Sequence, residues 1–134
     1  MSFQINSFSI RYIPHNLQRY NTCGDWYLDE TVGELVIKVS ETGTPAYNFL
    51  IAIHELIEAT LCIYQGVSGL EVDEWDFNHP DSDDPGSEEG CPYYSQHMVA
   101  TTIEHMLAIV LRVSWDDYEE DIQRLSNNYH KQVE

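Results

Sequence analysis

The sequence predicts an α+β domain, a small N-terminal antiparallel sheet followed by about three helices. Apolar and polar residues alternate through the first 40 positions, the period of half-buried strands. From about residue 45 apolar residues recur at helical spacing. A polar, Pro- and Gly-containing stretch then separates two helical runs. At 134 residues and 43% hydrophobic, the chain reads as one domain over 1–134 with a real core.

Phe3 and Ile5, then Phe8, Ile10 and Tyr12, alternate with polar neighbours and predict strands. Residues 13–24 hold Pro14, Asn16, Asn21 and Gly24 and predict a loop. Trp26-Tyr27-Leu28 and Leu35 to Val39 flank Asp29–Glu34 as a hairpin. Thr44-Pro45 is an N-cap followed by proline at the first helical position, so a helix starts there. It should run to about Gln65, with Gly66 as its stop. Residues 71–90 carry nine acids and no Lys or Arg, the composition of a solvated loop with a helical turn around Val72–Phe77. A second long helix should follow Pro92 and reach about Val113. Ser114 to Asp117 resembles a capping box for a third, whose Trp115, Tyr118, Ile122, Leu125 and Tyr129 form a core stripe.

The net charge is −17, from 6 Lys+Arg against 23 Asp+Glu. Such a field repels nucleic acid and anionic membrane and favours cations or a basic protein partner. Cys23, Cys62 and Cys91 form no C-x-x-C pair and are odd in number, which predicts reduced thiols and a cytoplasmic location. No basic region leads into an apolar run at the N-terminus, and no uninterrupted apolar run nears the ~20 residues of a membrane span.

The richest segment is His54-Glu55-Leu56-Ile57-Glu58, inside an apolar helix. At ~3.6 residues per turn His54 and Glu58 share one face, Glu55 stands about 100° round from His54, and Asn48 points near Glu55. Imidazole and carboxylate at i and i+4 can reach one ion, and a carboxylate at i+1 falls beside a water on that ion. On this template His54 and Glu58 are ligands and Glu55 is the general base. The plain alternative is that this arc faces water.

The second long helix carries a matching stripe. His97, Thr101 and Glu104 lie within about 60° of one another among apolar residues. Two such helices can pack with their stripes facing, and a metal ion would satisfy the polar groups. A hydrogen-bonded network without metal is the alternative. His97 and Glu104 are about 10.5 Å apart along the axis, so one ion should not take both. His97 is the expected third ligand, with Glu104 behind it as orienting residue or alternative ligand. His105 points elsewhere. Asp73, Asp76 and His79 are further candidates, Asp76 the foremost. Asp81 to Gly86 begins like a calcium loop, but Pro85 and Pro92 occupy two of its ligand positions.

A hairpin followed by HELIEA, over roughly residues 25–65, resembles a minimal zincin-like metallopeptidase core. The resemblance implies Zn²⁺, a sheet ahead of the active-site helix, and substrate along the edge strand. Glu58 stands where the family has its second His, a harder ligand set that also suits Mn²⁺ or Fe²⁺. The run Pro92-Tyr-Tyr-Ser-Gln-His97 is similar to small uncharacterised phage and prophage proteins. The expected function is a small metal-dependent hydrolase, a peptidase or another small-substrate enzyme. The competing readings are an acidic interaction protein of the DNA-mimic or phage anti-defence type, and a nucleotide pyrophosphohydrolase using ExxE carboxylates with Mg²⁺.

Overall fold

The computed structural model describes residues 4–132; Phe3, which begins the expected first strand, lies outside them. The chain forms β1 (Ser7–Ile13), β2 (Gly24–Asp29) and β3 (Glu34–Ser40), then α1 (Pro45–Tyr64), α2 (Gly69–Phe77), α3 (Tyr94–Val110) and α4 (Trp115–Asn127). Short 3₁₀ turns cover His15–Leu17 and Pro85–Ser87. The α+β class is as expected, but the described residues form four α-helices.

The sheet is mixed rather than antiparallel, with order β1-β3-β2. The hairpin pairs β2 antiparallel to β3, Trp26 opposite Ile37. β1 runs parallel to β3, Ile10 beside Ile37, because the 14–23 connection crosses the end of β3 and leaves that strand in the middle. The most continuously apolar strand thereby takes the most enclosed position. Leu35, Val36, Ile37 and Val39 are each at most 1% exposed. Full burial of such side chains contributes roughly 1.5–3 kcal/mol each. The alternating residues of β1 face outward beyond α1: Phe8 is 53%, Ile10 43% and Tyr12 49% exposed.

α1 starts at Thr44 with Pro45 in its first turn. It ends at Gly66, φ +79°, where the Val67 amide bonds the Cys62 carbonyl and the Gly66 amide bonds that of Ile63. Asn48 serves the start of this helix and not the arc of His54. It bonds the Thr42 amide and hydroxyl and the Glu41 carboxylate. α2 is a full helix because Ser68 and Glu71 form a reciprocal capping box. Ser114 caps α4 by accepting from the Asp117 amide at 3.3 Å.

α1 is long and apolar enough to cross a membrane. Its apolarity is instead used against the sheet and α3, through Leu50, Ala52, Ala59 and Cys62. The small domain with its mixed apolar core is compatible with a soluble protein. Cys62 and Cys91 are buried, Cys23 is partly exposed, and all three are free thiols.

Candidate metal centre

The site lies where α1 and α3 cross beside β2. Gln96, Ala100, Glu104 and Ala108 recur every four residues on the buried side of α3. The two alanines let the helices approach closely, and Gln96 bonds Gln65 at the end of α1. Glu104 is thus carried against His54.

His54 Nε2 lies 3.0 Å from Glu58 Oε2 on its own helix face. His97 Nδ1 lies 2.8 Å from the same oxygen and 3.2 Å from His54 Nε2. Imidazole, carboxylate and imidazole thus converge on one point. The outer nitrogen of each ring faces another carboxylate. His54 Nδ1 is 2.7 Å from Glu104 Oε1, and His97 Nε2 is 2.8 Å from Asp84 Oδ1. The Tyr118 hydroxyl donates to the second oxygen of Glu104 at 2.6 Å. Two glycines make room for these groups. A Cβ on Gly86 would stand 2.5 Å from Cγ of His97, and one on Gly24 would stand 2.3 Å from Cγ of Glu55.

This donor set fits a transition metal. Each ring gives its outer N–H to a carboxylate, so its inner nitrogen can offer a lone pair. Two lone pairs and a carboxylate oxygen facing one another need a cation or protons between them. In a tetrahedral zinc site, ligand atoms stand roughly 3.3–3.6 Å apart at ~2.0–2.2 Å from the ion. The separations here lie a few tenths of an ångström inside that.

The ionisation pattern shows the same demand. Burial opposes charge on His54, but Glu104 and Glu58 raise its pKa well above the usual value. Burial also opposes charge on His97, yet Asp84 and Glu58 raise its pKa to about 9. Burial works against an ionised Glu58, but the two imidazoles hold it below the usual range. Glu55 goes the other way. Burial first, then the Glu58 charge, lift its pKa to about 8. It makes no side-chain hydrogen bond among the described residues.

Of the residues singled out from sequence, His54, Glu58 and His97 meet, with Glu104 behind His54 and Glu55 on the adjoining wall. Asp76 does not join them. It accepts hydrogen bonds from the hydroxyls of Tyr20 and Tyr93 in the same cavity, and burial raises its pKa. Asp73 pairs with Arg19. His79 stacks on Trp75, and His105 stacks on Trp115 with centroids 3.5 Å apart.

Sequence reasoning missed Asp84, Tyr118, Gly24 and Gly86. Asp84 is lost among the acids of a polar run, and Tyr118 reads as one more core aromatic. Pro85-Gly86 after an acid marks a turn, the only hint at that position.

The cavity around the site has a volume of about 510 Å³ and includes Thr101, Trp26 and Trp115 in its walls. Its β2 wall is a free edge of the sheet among the described residues. The chain matches no family model, no curated protein and no solved structure.

Proposed function

We propose that this protein is a small metal-dependent hydrolase, with His54, Glu58 and His97 as ligands and Glu55 as general base. The observation that carries the reading is the convergence of His54 Nε2, His97 Nδ1 and Glu58 Oε2 within 4.8 Å, each ring backed by a carboxylate. Two imidazoles and one carboxylate suit Zn²⁺, and Mn²⁺ or Fe²⁺ are also served by this set. When bound, the ion would act as a Lewis acid at the reacting centre.

The protein's own contribution is a proton carrier and a shaped pocket. Glu55 stands one residue from a ligand and lines the cavity without a side-chain hydrogen-bond partner among the described residues. A carboxyl titrating at about 8 exchanges its proton near neutral pH. It takes a proton from the attacking water and returns it to the leaving group. Glu104 and Asp84 hold the two rings in orientation, and Tyr118 holds Glu104. A peptide or similar small substrate would lie in the cavity beside β2.

The test is metal content of untagged protein after Zn²⁺ or Mn²⁺ loading, followed by a screen of peptide, amide and ester substrates. About one ion per chain, and hydrolysis that Glu55→Gln abolishes, is the expected result. Equal metal content in wild type and His54→Ala would overturn it.

A non-catalytic role as an acidic interaction protein is favoured by one observation, the exposed acids Asp81, Asp83, Glu88 and Glu89 in a chain of net charge −17. That role predicts salt-sensitive binding to a basic protein, unaffected by His54→Ala. The pyrophosphohydrolase reading gains nothing here: Glu58 and Glu104 both engage imidazoles, and a sheet forms one wall of the cavity.

A further inference from the structure

We infer that the substrate of this centre carries a positive charge, an amine or guanidinium group held in the cavity beside the scissile bond. The inference rests on the hydrolase reading for its reaction, and on the cavity walls for its charge. No Lys or Arg lines the cavity, while β2, α1, α2, α3, α4 and the 83–86 turn each contribute at least one carboxylate.

Six of the carboxylates, the exposed Asp84 among them, have partners. Glu58, Glu104 and Asp84 are held by imidazoles. Asp76 is held by two tyrosine hydroxyls, and Asp25 and Asp73 share Arg19. Asp83 and Glu119 at the mouth are exposed and make no side-chain hydrogen bond or ion pair among the described residues. A divalent ion and Arg19 offset only part of this charge, so the cavity keeps a negative field. Low-dielectric walls focus such a field and raise the local concentration of cations on the order of tenfold or more.

The walls also supply surfaces for a cation's apolar stem. Trp26 is buried at 8% exposure, and Tyr20 and Trp115 are partly exposed, Tyr20 already beneath the Arg19 guanidinium and Trp115 with one face stacked on His105. Aromatic faces next to carboxylates suit an alkylammonium or guanidinium group. A phosphate or an acidic side chain would meet only like charge.

The experiment uses three neutral-capped probes of similar length: N-acetyl-lysinamide, N-acetyl-norleucinamide and N-acetyl-glutamic acid amide. Binding to metal-loaded and metal-free wild type is measured by NMR titration at low and at physiological salt. The lysine probe should bind about tenfold more tightly than norleucine, with glutamate weakest, and salt should narrow the gap. An Asp83→Asn/Glu119→Gln variant should lose several-fold affinity for the lysine probe and keep that for norleucine. Equal binding of all three, preference for glutamate, or no binding of the lysine probe would overturn the inference. Hydrolysis is read separately on matched peptide substrates. Preferential lysine binding without cleavage of any substrate would remove the hydrolase reading alone. Cleavage with equal kcat/KM for all three charges would remove the charge inference alone.

Discussion

Nε2 of His54 and Nδ1 of His97 stand 3.2 Å apart across 43 residues of chain, both facing one carboxylate oxygen of Glu58. Two imidazole nitrogens this close repel if both are protonated and leave a cation-sized demand if neither is.

The ligand set orders the effect of substitutions. His97→Ala should cost far more metal affinity than Glu104→Ala, because Glu104 touches His54 at its outer nitrogen. Removal of an orienting group typically costs 10–100-fold, and loss of a direct ligand should cost more. Competitive chelator titration, with circular dichroism to check folding, measures both. A larger loss in Glu104→Ala would make the carboxylate the ligand.

Glu55→Gln should keep metal near the wild-type level and abolish hydrolysis. It should also stabilise the metal-free protein above pH 5, since a half-buried carboxyl that resists ionisation is replaced by a neutral amide. Elemental analysis, turnover and denaturant melts read the three effects. Metal lost together with activity would show a ligand instead.

Metal-free protein should lose stability as pH rises from about 4.5 to 9. His97 and Glu55 bound this window, and His54, raised well above 6.5 by Glu104 and Glu58 against the opposing effect of burial, acts in the same direction. The folded pKa of His97, about 9, exceeds the unfolded value of 6.5, so its stabilisation is complete below 6.5 and lost by 9. The folded pKa of Glu55, about 8, exceeds 4.5, so the folded state holds a proton that the unfolded state has released. Both bind more protons when folded, and stability therefore falls with pH. Metal loading should flatten the upper part of the curve and release protons. Denaturant melts at stepped pH, with and without Zn²⁺, check the sign.

Gly86→Ala should disturb His97 without touching its chemistry. The added methyl would sit 2.5 Å from Cγ of that ring, so ring or turn must move. Overpacking of this kind costs roughly 1–3 kcal/mol. Metal affinity should fall by more than tenfold. An unchanged affinity would show that the 85–87 turn yields freely.

Arg112→Gly should raise stability by about 1 kcal/mol, the usual cost of a left-handed non-glycine residue. Arg112 ends α3 at φ +58°, with the Val113 amide bonded to the Ala108 carbonyl at 2.9 Å. Arg112 does not line the cavity, so metal binding should not change. Thermal melts of both proteins decide it.

Local patterns were enough for much of this protein. Pro45 and Gly66 bound α1 because a proline in the first turn and a left-handed glycine after the last act within a few residues, although the Thr44 side chain makes no cap hydrogen bond. The 2-residue and 3.6-residue periods separated hairpin from helices because side chains report their own backbone. His54, Glu55 and Glu58 were legible as one arc, and His97 and Glu104 as another, for the same reason. Tertiary structure decided what spacing does not encode. It inserted β3 between β1 and β2, since alternation marks a strand's face and not its neighbour. It turned Phe8, Ile10 and Tyr12 outward, because α1 does not reach over that edge. It drew Asp84 out of an acidic run onto His97 and set Tyr118 against Glu104. Those contacts depend on how the 83–86 turn and α4 close over the crossing of α1 and α3, and no periodicity within either segment records a partner in another.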